Sequence, residues 1–378
     1  MSFKFLIGAS LKKENTDRMS TMKTNQKESP AVAAIDAGEL TRFVTNLTEK
    51  SGVIHDDAVI LAESLVDANL NGIDTHGVSR LPIYLKRISL GLIKPNAKMT
   101  FEKKLPAVGV LDADNGLGQV AGVKAAHEVL KLAKEFGAGV AGVIHSQHFG
   151  AAGYYCSIVA RQGFIGMAFT NAEPALPAWG SYEAYFGTNP IAIAVPTGTD
   201  VPIVIDTSTS IVARGKIVAA ARTGTPIPSD WALDPDGNPT TDAQKALDGS
   251  VLTMAGPKGY ALAMMVDILS GVLTGGGFGK GVNSMYKDLE HRADAGHMLI
   301  AINVDAFMPR VEFLNRVQAM VKDLKSTKKR PGVEEIYIPG ERKQKARQKR
   351  MKDGIPLDSS VVNELASLAY QLDVPSPF

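Results

Sequence analysis

The stretch Asp74-Thr75-His76-Gly77-Val78-Ser79-Arg80-Leu81-Pro82-Ile83-Tyr84 spaces an imidazole, a guanidinium and a phenol four residues apart. A helix running on from His76 would carry all three on one face, because side chains at i and i+4 lie one above the other. Imidazole titrates near neutrality and can take or give a proton there. A guanidinium grips a carboxylate through two parallel N–H donors. The trio therefore suits proton transfer at an alcohol or carbonyl that sits beside a carboxylate. The competing reading is a capped, solvated helix start with an incidental arginine.

Four further stretches look like the second half of a site. Ser146-Gln147-His148-Phe149-Gly150 lies between a strand and a helix beginning near Ala151. That helix's dipole would lower the pKa of His148 and keep its imidazole neutral, ready to accept a proton. The alternative is a core histidine bonded to a carbonyl. Gly256-Pro257-Lys258-Gly259-Tyr260 opens another helix, with Pro at its first position and Lys258 opposing the dipole. An anion between the lysine and the helix end would explain that placement; a surface accident is the other explanation. Asp206-Thr207-Ser208-Thr209-Ser210 gathers hydroxyls at a strand end, where ligands of α/β folds usually lie. Asn171 and Phe186-Gly187-Thr188-Asn189-Pro190 end or begin other strands, so a shared crevice is expected.

Two glycine motifs carry less. Gly137-Ala138-Gly139-Val140-Ala141-Gly142 fits G-x-G-x-x-G but follows a helix and precedes a strand, the reverse of what phosphate binding needs. Gly116-Leu117-Gly118-Gln119-Val120-Ala121 has the correct strand-then-helix context. The next strand leads to His145 and Ser146, however, where a Rossmann domain would place an acid.

The elements that must position these groups follow from hydrophobic periodicity. Helices are predicted over Asp57–Leu70 and Val78–Leu90, onward from the Asn115–Ala121 stretch to Phe136, and over Ala151–Gln162, Val311–Leu324 and Ser360–Leu372. Pro257–Leu273 is apolar nearly all round and reads as a buried core helix, since Asp267 and several Gly and Ser argue against a membrane span. Strands are predicted at Val108–Asp112, Val140–Ile144, Phe164–Phe169, Ile191–Val195, Ile203–Ile205 and His297–Asn303. Their apolar runs are unbroken, as in strands covered on both faces. Glu341–Lys352 holds seven basic residues and one acid; without interleaved aromatics it reads as a solvated helix face rather than an RNA surface.

The chain has 378 residues, 45% hydrophobic and 21% charged, with net charge +2. This is an ordinary globular balance, which argues against a dedicated nucleic-acid or membrane-surface protein. The single cysteine, Cys156, excludes an internal disulfide framework and fits a reducing compartment, the cytoplasm. No histidines pair at metal-ligand spacing, so no metal is implied. Residues 1–33 are polar and aperiodic and read as a disordered extension.

From about Ala34 to the C-terminus the chain resembles the malate/L-lactate dehydrogenase family that lacks the usual Rossmann domain. That family also includes ureidoglycolate and sulfolactate dehydrogenases, diketogulonate reductase and piperideine-carboxylate reductase. The resemblance rests on Thr75-His76-Gly77 with Arg80, Gly116-Leu117-Gly118-Gln119 and His148-Phe149-Gly150. Phe186-Gly187-Thr188-Asn189-Pro190, Gly256-Pro257-Lys258-Gly259-Tyr260 and Ile338-Pro339-Gly340-Glu341 complete it. Thr75 stands where many relatives carry Ser, so a hydroxyl there is kept in type only. The resemblance implies an α/β fold whose mixed-sheet, non-Rossmann nicotinamide-binding domain (111–304) packs against a helical domain (34–110, completed by 305–378). It also implies NAD or NADP as cofactor, a 2-hydroxy or 2-oxo acid as substrate, and a homodimer with the site near its interface. By the same carry-over His76 and Arg80 look like the acid/base and the carboxylate clamp, with Tyr84 lining the substrate pocket. His148 matches a proton acceptor of some members, and which histidine acts stays open. Asp206, Thr207, Ser208, Lys258, Gly340 and Glu341 fall on stretches that contact the dinucleotide.

The expected reaction is hydride transfer between the nicotinamide and C2 of a small 2-hydroxy acid of the malate or lactate type. Ser284-Met285-Tyr286-Lys287-Asp288-Leu289 is similar to ureidoglycolate dehydrogenase, the second expectation, beside sulfolactate oxidation and 2-oxo acid or cyclic imine reduction. A ligand-binding protein that has lost catalysis is the alternative of another class.

Overall fold

A computed structural model describes residues 31–378. The extension expected over 1–33 lies outside the described residues, except that the backbone of residues 31–33 already belongs to a strand, β1 (Ala31–Ile35). After it come α1 (Ala37–Lys50), α2 (His55–Leu70) and α3 (Leu81–Ser89). Leu40, Leu47, Leu61, Leu65, Leu81 and Leu85 recur at helical spacing on these helices and bury together in one cluster.

The chain then enters a sheet through β2 (Thr100–Leu105) and β3 (Val108–Asp112), crosses over by α4 (Gly118–Phe136) to β4 (Ala138–Ser146), and continues through α5 (Ala152–Arg161) to β5 (Phe164–Thr170). A short hairpin of β6 (Leu176–Pro177) and β7 (Ala184–Phe186) precedes β8 (Ile191–Val195) and β9 (Ile203–Thr207). An excursion follows, built of α6 (Arg214–Thr223), β10 (Ala232–Leu233), α7 (Ala243–Asp248) and β11 (Ser250–Val251). It has its own small core around Ile217, Ile227, Ala246 and Val251. Next is α8 (Pro257–Asp267), which runs into a π-helical turn at Ile268–Val272, and then β12 (Ala295–Asn303). The C-terminal part is α9 (Arg310–Ser326), α10 (Glu341–Asp353), β13 (Ile355–Asp358) and α11 (Ser359–Gln371), with β13 returning to pair antiparallel with β1.

The main sheet has seven strands in the order β2-β3-β4-β12-β5-β8-β9. Only β3 and β4 run parallel, joined by the α4 crossover that such a pair requires; the other pairs are antiparallel. The sheet is therefore mixed, as expected, and it is not a Rossmann sheet. One face is sealed by α4 and α5, whose Ala121, Ala125, Val129 and Val159 pack on Ala141, Val143, Ala168 and Leu299. Val266 of α8 meets Phe169 and Met298 on the other face. No helix among the described residues is long and apolar enough to cross a membrane.

Three local expectations are corrected. No helix runs on from His76: Asp74–His76 and Val78–Arg80 are separate 3-10 turns, broken at Gly77 where ψ is −153°, and the α-helix starts only at Leu81. Gly77 is needed there because a Cβ would lie 2.2 Å from Asn69 Oδ1. Pro257–Leu273 is not a buried core helix, since Met265, Val272 and Leu273 are 52–64% exposed. The sheet uses only one side of that helix. Finally, the basic Glu341–Lys352 stretch is not merely solvated: Lys343, Arg347 and Arg350 all enter ion pairs with acids of other elements.

Candidate active site

Despite the break at Gly77, the turn brings its chemical groups together with the loop after β4. The His76 and His148 rings stack with centroids 5.7 Å apart and 25° between planes. His148 Nδ1 is hydrogen-bonded to the Tyr84 hydroxyl at 2.6 Å, and His76 Nδ1 to the Thr75 hydroxyl at 3.0 Å. Each ring thus spends Nδ1 on an anchoring hydroxyl and, among the described residues, makes no hydrogen bond through Nε2. Tyr84 reaches this position from the first turn of α3, where its ring is buried at 2% exposure.

Arg80 stands beside the pair. Its Nε donates to the Thr75 carbonyl at 2.5 Å, which folds the side chain back over the turn and points the terminal nitrogens away from it. One of them, Nη1, meets the Tyr286 hydroxyl, and the guanidinium carbon lies 5.2 Å from that ring's centre. Tyr286 is held there by Arg87, one of the largest fully buried side chains. Its guanidinium donates to the carbonyls of Asp288 at 2.7 Å and His291 at 2.8 Å, pinning the 284–291 loop.

Burial holds the His76 pKa down to about 4, and the Arg80 charge adds to this against the opposing pull of Asp206. His148 is driven well below the ordinary histidine value by burial, then by His76 and Arg80. Neutral His148 was expected from the α5 dipole; desolvation and neighbouring charge account for it instead. Burial pushes the Tyr84 phenol well above its usual range, so it stays protonated.

A second, different histidine lies beneath. His297, on β12, is fully buried, with Nδ1 on Thr170 Oγ1 at 2.7 Å and Nε2 on Ser146 Oγ at 2.8 Å. Its ring stacks on Phe149, 4.2 Å between centroids, and Phe149 stacks in turn on Tyr155. His297, rather than His148, is the histidine here whose two ring nitrogens are both tied to neighbouring side chains.

A cavity of about 650 Å³ opens between α2, α5, β9 and α10. Asp206, Gly153 and Gly340 line it, with Lys343 reaching Asp206 at 3.0 Å. The N-terminal end of α5, from Ala151 to Tyr154, faces into it. Backbone N–H groups at a helix start, two residues without side chains and a lysine make a wall suited to a dinucleotide diphosphate. Glu63 and Asp200 also line it, while Arg347 is taken up by Asp67 at 2.7 Å.

Not every expected cofactor residue faces this cavity. Glu341 turns to the Ile338 N–H at 2.9 Å and to Lys325 at 2.6 Å. Thr207 and Ser208 bond locally, the first to the Ser208 carbonyl and the second to Ser210 Oγ at 2.8 Å. Lys258 is exposed at the start of α8, outside the cavity wall, although Met254 just before it bonds back to the Thr209 carbonyl at 2.9 Å. Asn171 and Asn189 are structural: their amides donate to the carbonyls of Gly277 at 2.7 Å and Ala263 at 2.9 Å. In the Gly116–Ala121 motif Gly118 is set by packing, because a Cβ there would lie 2.4 Å from the Gln147 carbonyl. That glycine lets α4 rest on the backbone carrying His148.

Residues 35–366 match the family model for malate/L-lactate dehydrogenase. The chain belongs to that family. The L-sulfolactate dehydrogenase of Methanocaldococcus jannaschii is 40% identical over 331 residues, 88% of this chain and 95% of that protein. The ureidoglycolate dehydrogenase (NAD(+)) of Escherichia coli is 35% identical over 328 residues, 87% of this chain and 93% of that protein. Among solved structures, malate dehydrogenase from Entamoeba histolytica superposes with a TM-score of 0.87 at 32% identity, covering 92% of this chain and 99% of the other.

Several residues of the site were not found by reading the sequence of this family member. Arg87 carried a signal, since it lies among Leu81, Tyr84, Leu85 and Ile88, the residues α3 buries, where an arginine needs partners. Gln119 sits buried beside Tyr84 without closing a hydrogen bond of normal geometry. Tyr286 stands in the Ser284–Leu289 stretch read as a resemblance but with no role at the site, and Asn69 and Arg350 gave no signal, because these contacts join segments hundreds of residues apart or lie inside a single turn.

Proposed function

We propose that this protein oxidises a small 2-hydroxy acid to the 2-oxo acid, or runs the reverse reduction, with NAD as the preferred cofactor. The observation that carries the reading is the convergence of His76, His148 and Arg80, two neutral imidazoles and a guanidinium whose Nη1 meets the Tyr286 hydroxyl and whose Nη2 makes no hydrogen bond among the described residues. Asp206, Gly153, Gly340 and Lys343 would hold the dinucleotide, whose nicotinamide supplies the hydride acceptor. Arg80 holds the substrate carboxylate and so fixes where C2 points. The imidazole pair takes the hydroxyl proton, and Tyr84 keeps His148 oriented for it. Glu63 and Asp200 in the cavity wall favour a ribose diol over a 2′-phosphate, which supports NAD.

Malate is the leading substrate. The Tyr286 hydroxyl beside Arg80 adds a polar group at the carboxylate end, which favours a substrate with a second polar group over lactate and keeps ureidoglycolate and sulfolactate as the second reading. The exposed apolar side of α8 and the π-helical turn after it, with Met264, Met265, Val272 and the following Leu273, supports a homodimer through that face. The single free thiol, buried at Cys156, supports a cytoplasmic setting. Initial rates with malate, lactate, sulfolactate and ureidoglycolate, each with NAD and NADP, test the reading by the absorbance of reduced nicotinamide. Turnover of malate with NAD is expected; no turnover with any pair would contradict it.

A further inference from the structure

Helix α10 meets the site at three levels along one face. Lys343 pairs with Asp206 at the cavity, and Arg347 with Asp67 on α2. Arg350 forks onto Asp74, Nη1 to Oδ1 at 2.6 Å and Nη2 to Oδ2 at 2.9 Å. Arg350 also donates to the Asn69 carbonyl.

The third contact differs from the other two in what lies behind it. Asp74 opens the turn that carries His76, and its carboxylate also accepts from Asn69 Nδ2 at 2.6 Å. Asn69 Oδ1 in turn accepts from the Val78 N–H at 2.9 Å, and it is the atom against which Gly77 is packed. Both ends of the Asp74–Val78 segment are therefore fastened to one buried amide, and Arg350 fastens that amide's partner. Within the segment, the Thr75 hydroxyl holds His76 and the Thr75 carbonyl holds Arg80. Arg350 itself is absent from the cavity wall.

We propose that Arg350 is a positioning residue for the reaction: its fork on Asp74 sets the Asp74–Arg80 turn so that His76 and Arg80 face one substrate. The proposal rests on the roles given above to His76 and Arg80. A two-pronged guanidinium–carboxylate contact fixes orientation as well as distance. Asp74 is half-exposed although Arg350 is only 18% exposed, and an ion pair with one partner open to solvent adds only modestly to global stability. A displacement of about 1 Å in a catalytic group, by contrast, can cost on the order of 10²-fold in rate.

The test compares the full-length enzyme with Arg350→Gln, Asp74→Asn, the double variant and Arg350→Lys. Steady-state kinetics, cofactor affinity from quenching of reduced-nicotinamide fluorescence, and melting temperature are measured for each. Each of the first two variants is expected to lose roughly 10–100-fold in kcat/KM. The double variant should lose no more than the worse single one, because both act through one contact. Arg350→Lys, which keeps one prong, should fall between. Cofactor affinity should stay within about twofold and the melting temperature within a few degrees. Unchanged kcat/KM in Arg350→Gln would overturn the proposal, as would multiplying effects, or affinity and melting temperature falling in step with activity. Should Arg350→Gln not fold, Asp74→Asn and Arg350→Lys carry the same comparison. If His76→Gln and Arg80→Ala both retain full turnover, the underlying reading fails; if they lose it and Arg350→Gln does not, only this proposal fails.

Discussion

His297 and the His76–His148 pair lie close together, and all three are held below the ordinary histidine pKa, yet they are built for opposite ends. His297 uses both ring nitrogens, on Thr170 and Ser146, and its ring is fully buried with one face stacked on Phe149. Nothing is left over for a ligand. His76 and His148 each commit one nitrogen to a hydroxyl and keep the other, with a guanidinium alongside. A depressed pKa alone therefore does not mark a reactive histidine; the unspent nitrogen does.

The largest effect that would sharpen this contrast is on rate. His148→Gln and His76→Gln should each lower kcat/KM by about 10²–10⁴-fold with little change in melting temperature. His297→Leu should do the reverse. It strands the buried Ser146 hydroxyl and opens a gap beside Phe149, while Thr170 keeps the carbonyls of Asn171 and Gly296, so denaturant unfolding should show a loss of roughly 1–3 kcal/mol while the folded fraction turns over at near-normal rate. A large rate loss in His297→Leu without destabilisation would break the comparison.

The pH dependence is the smallest effect. His76 is held to about 4 and His297 to about 3, both below the unfolded value of 6.5. Between those limits the unfolded chain binds more protons, so the stability these groups contribute is complete above pH 6.5 and is lost as pH falls through their folded values. For oxidation, kcat/KM should run level through pH 6.5 and decline only toward about 4, since the base is already neutral. A break near 6.5 would show that the pair titrates like exposed histidine.

Much of this architecture was readable in advance. Unbroken apolar runs gave the strands Val108–Asp112 and Ile191–Val195 with the observed bounds, and four others to within a few residues. Strand β2, by contrast, was missed because Thr100-Phe-Glu-Lys-Lys-Leu is an exposed edge with no burial to pattern it. The spacing of His76, Arg80 and Tyr84 named groups that do converge, though for another reason than one helix face: Gly77 breaks the helix, and Asn69 and Asp74 shape the turn. The basic run of α10 was misjudged because composition alone cannot distinguish a solvated face from one whose acids wait on α2 and β9. Contacts such as Arg80 with Tyr286 bridge more than two hundred positions, and no local periodicity encodes them.

Arg80→Ala tests the central claim most directly, with turnover and cofactor binding followed on the same preparation. The account predicts that kcat/KM for the hydroxy acid falls by at least about 10²-fold while the quenching of reduced-nicotinamide fluorescence titrates as in the unaltered enzyme. Cofactor binding lost together with unchanged turnover per bound cofactor would place Arg80 at the dinucleotide instead, and would contradict it.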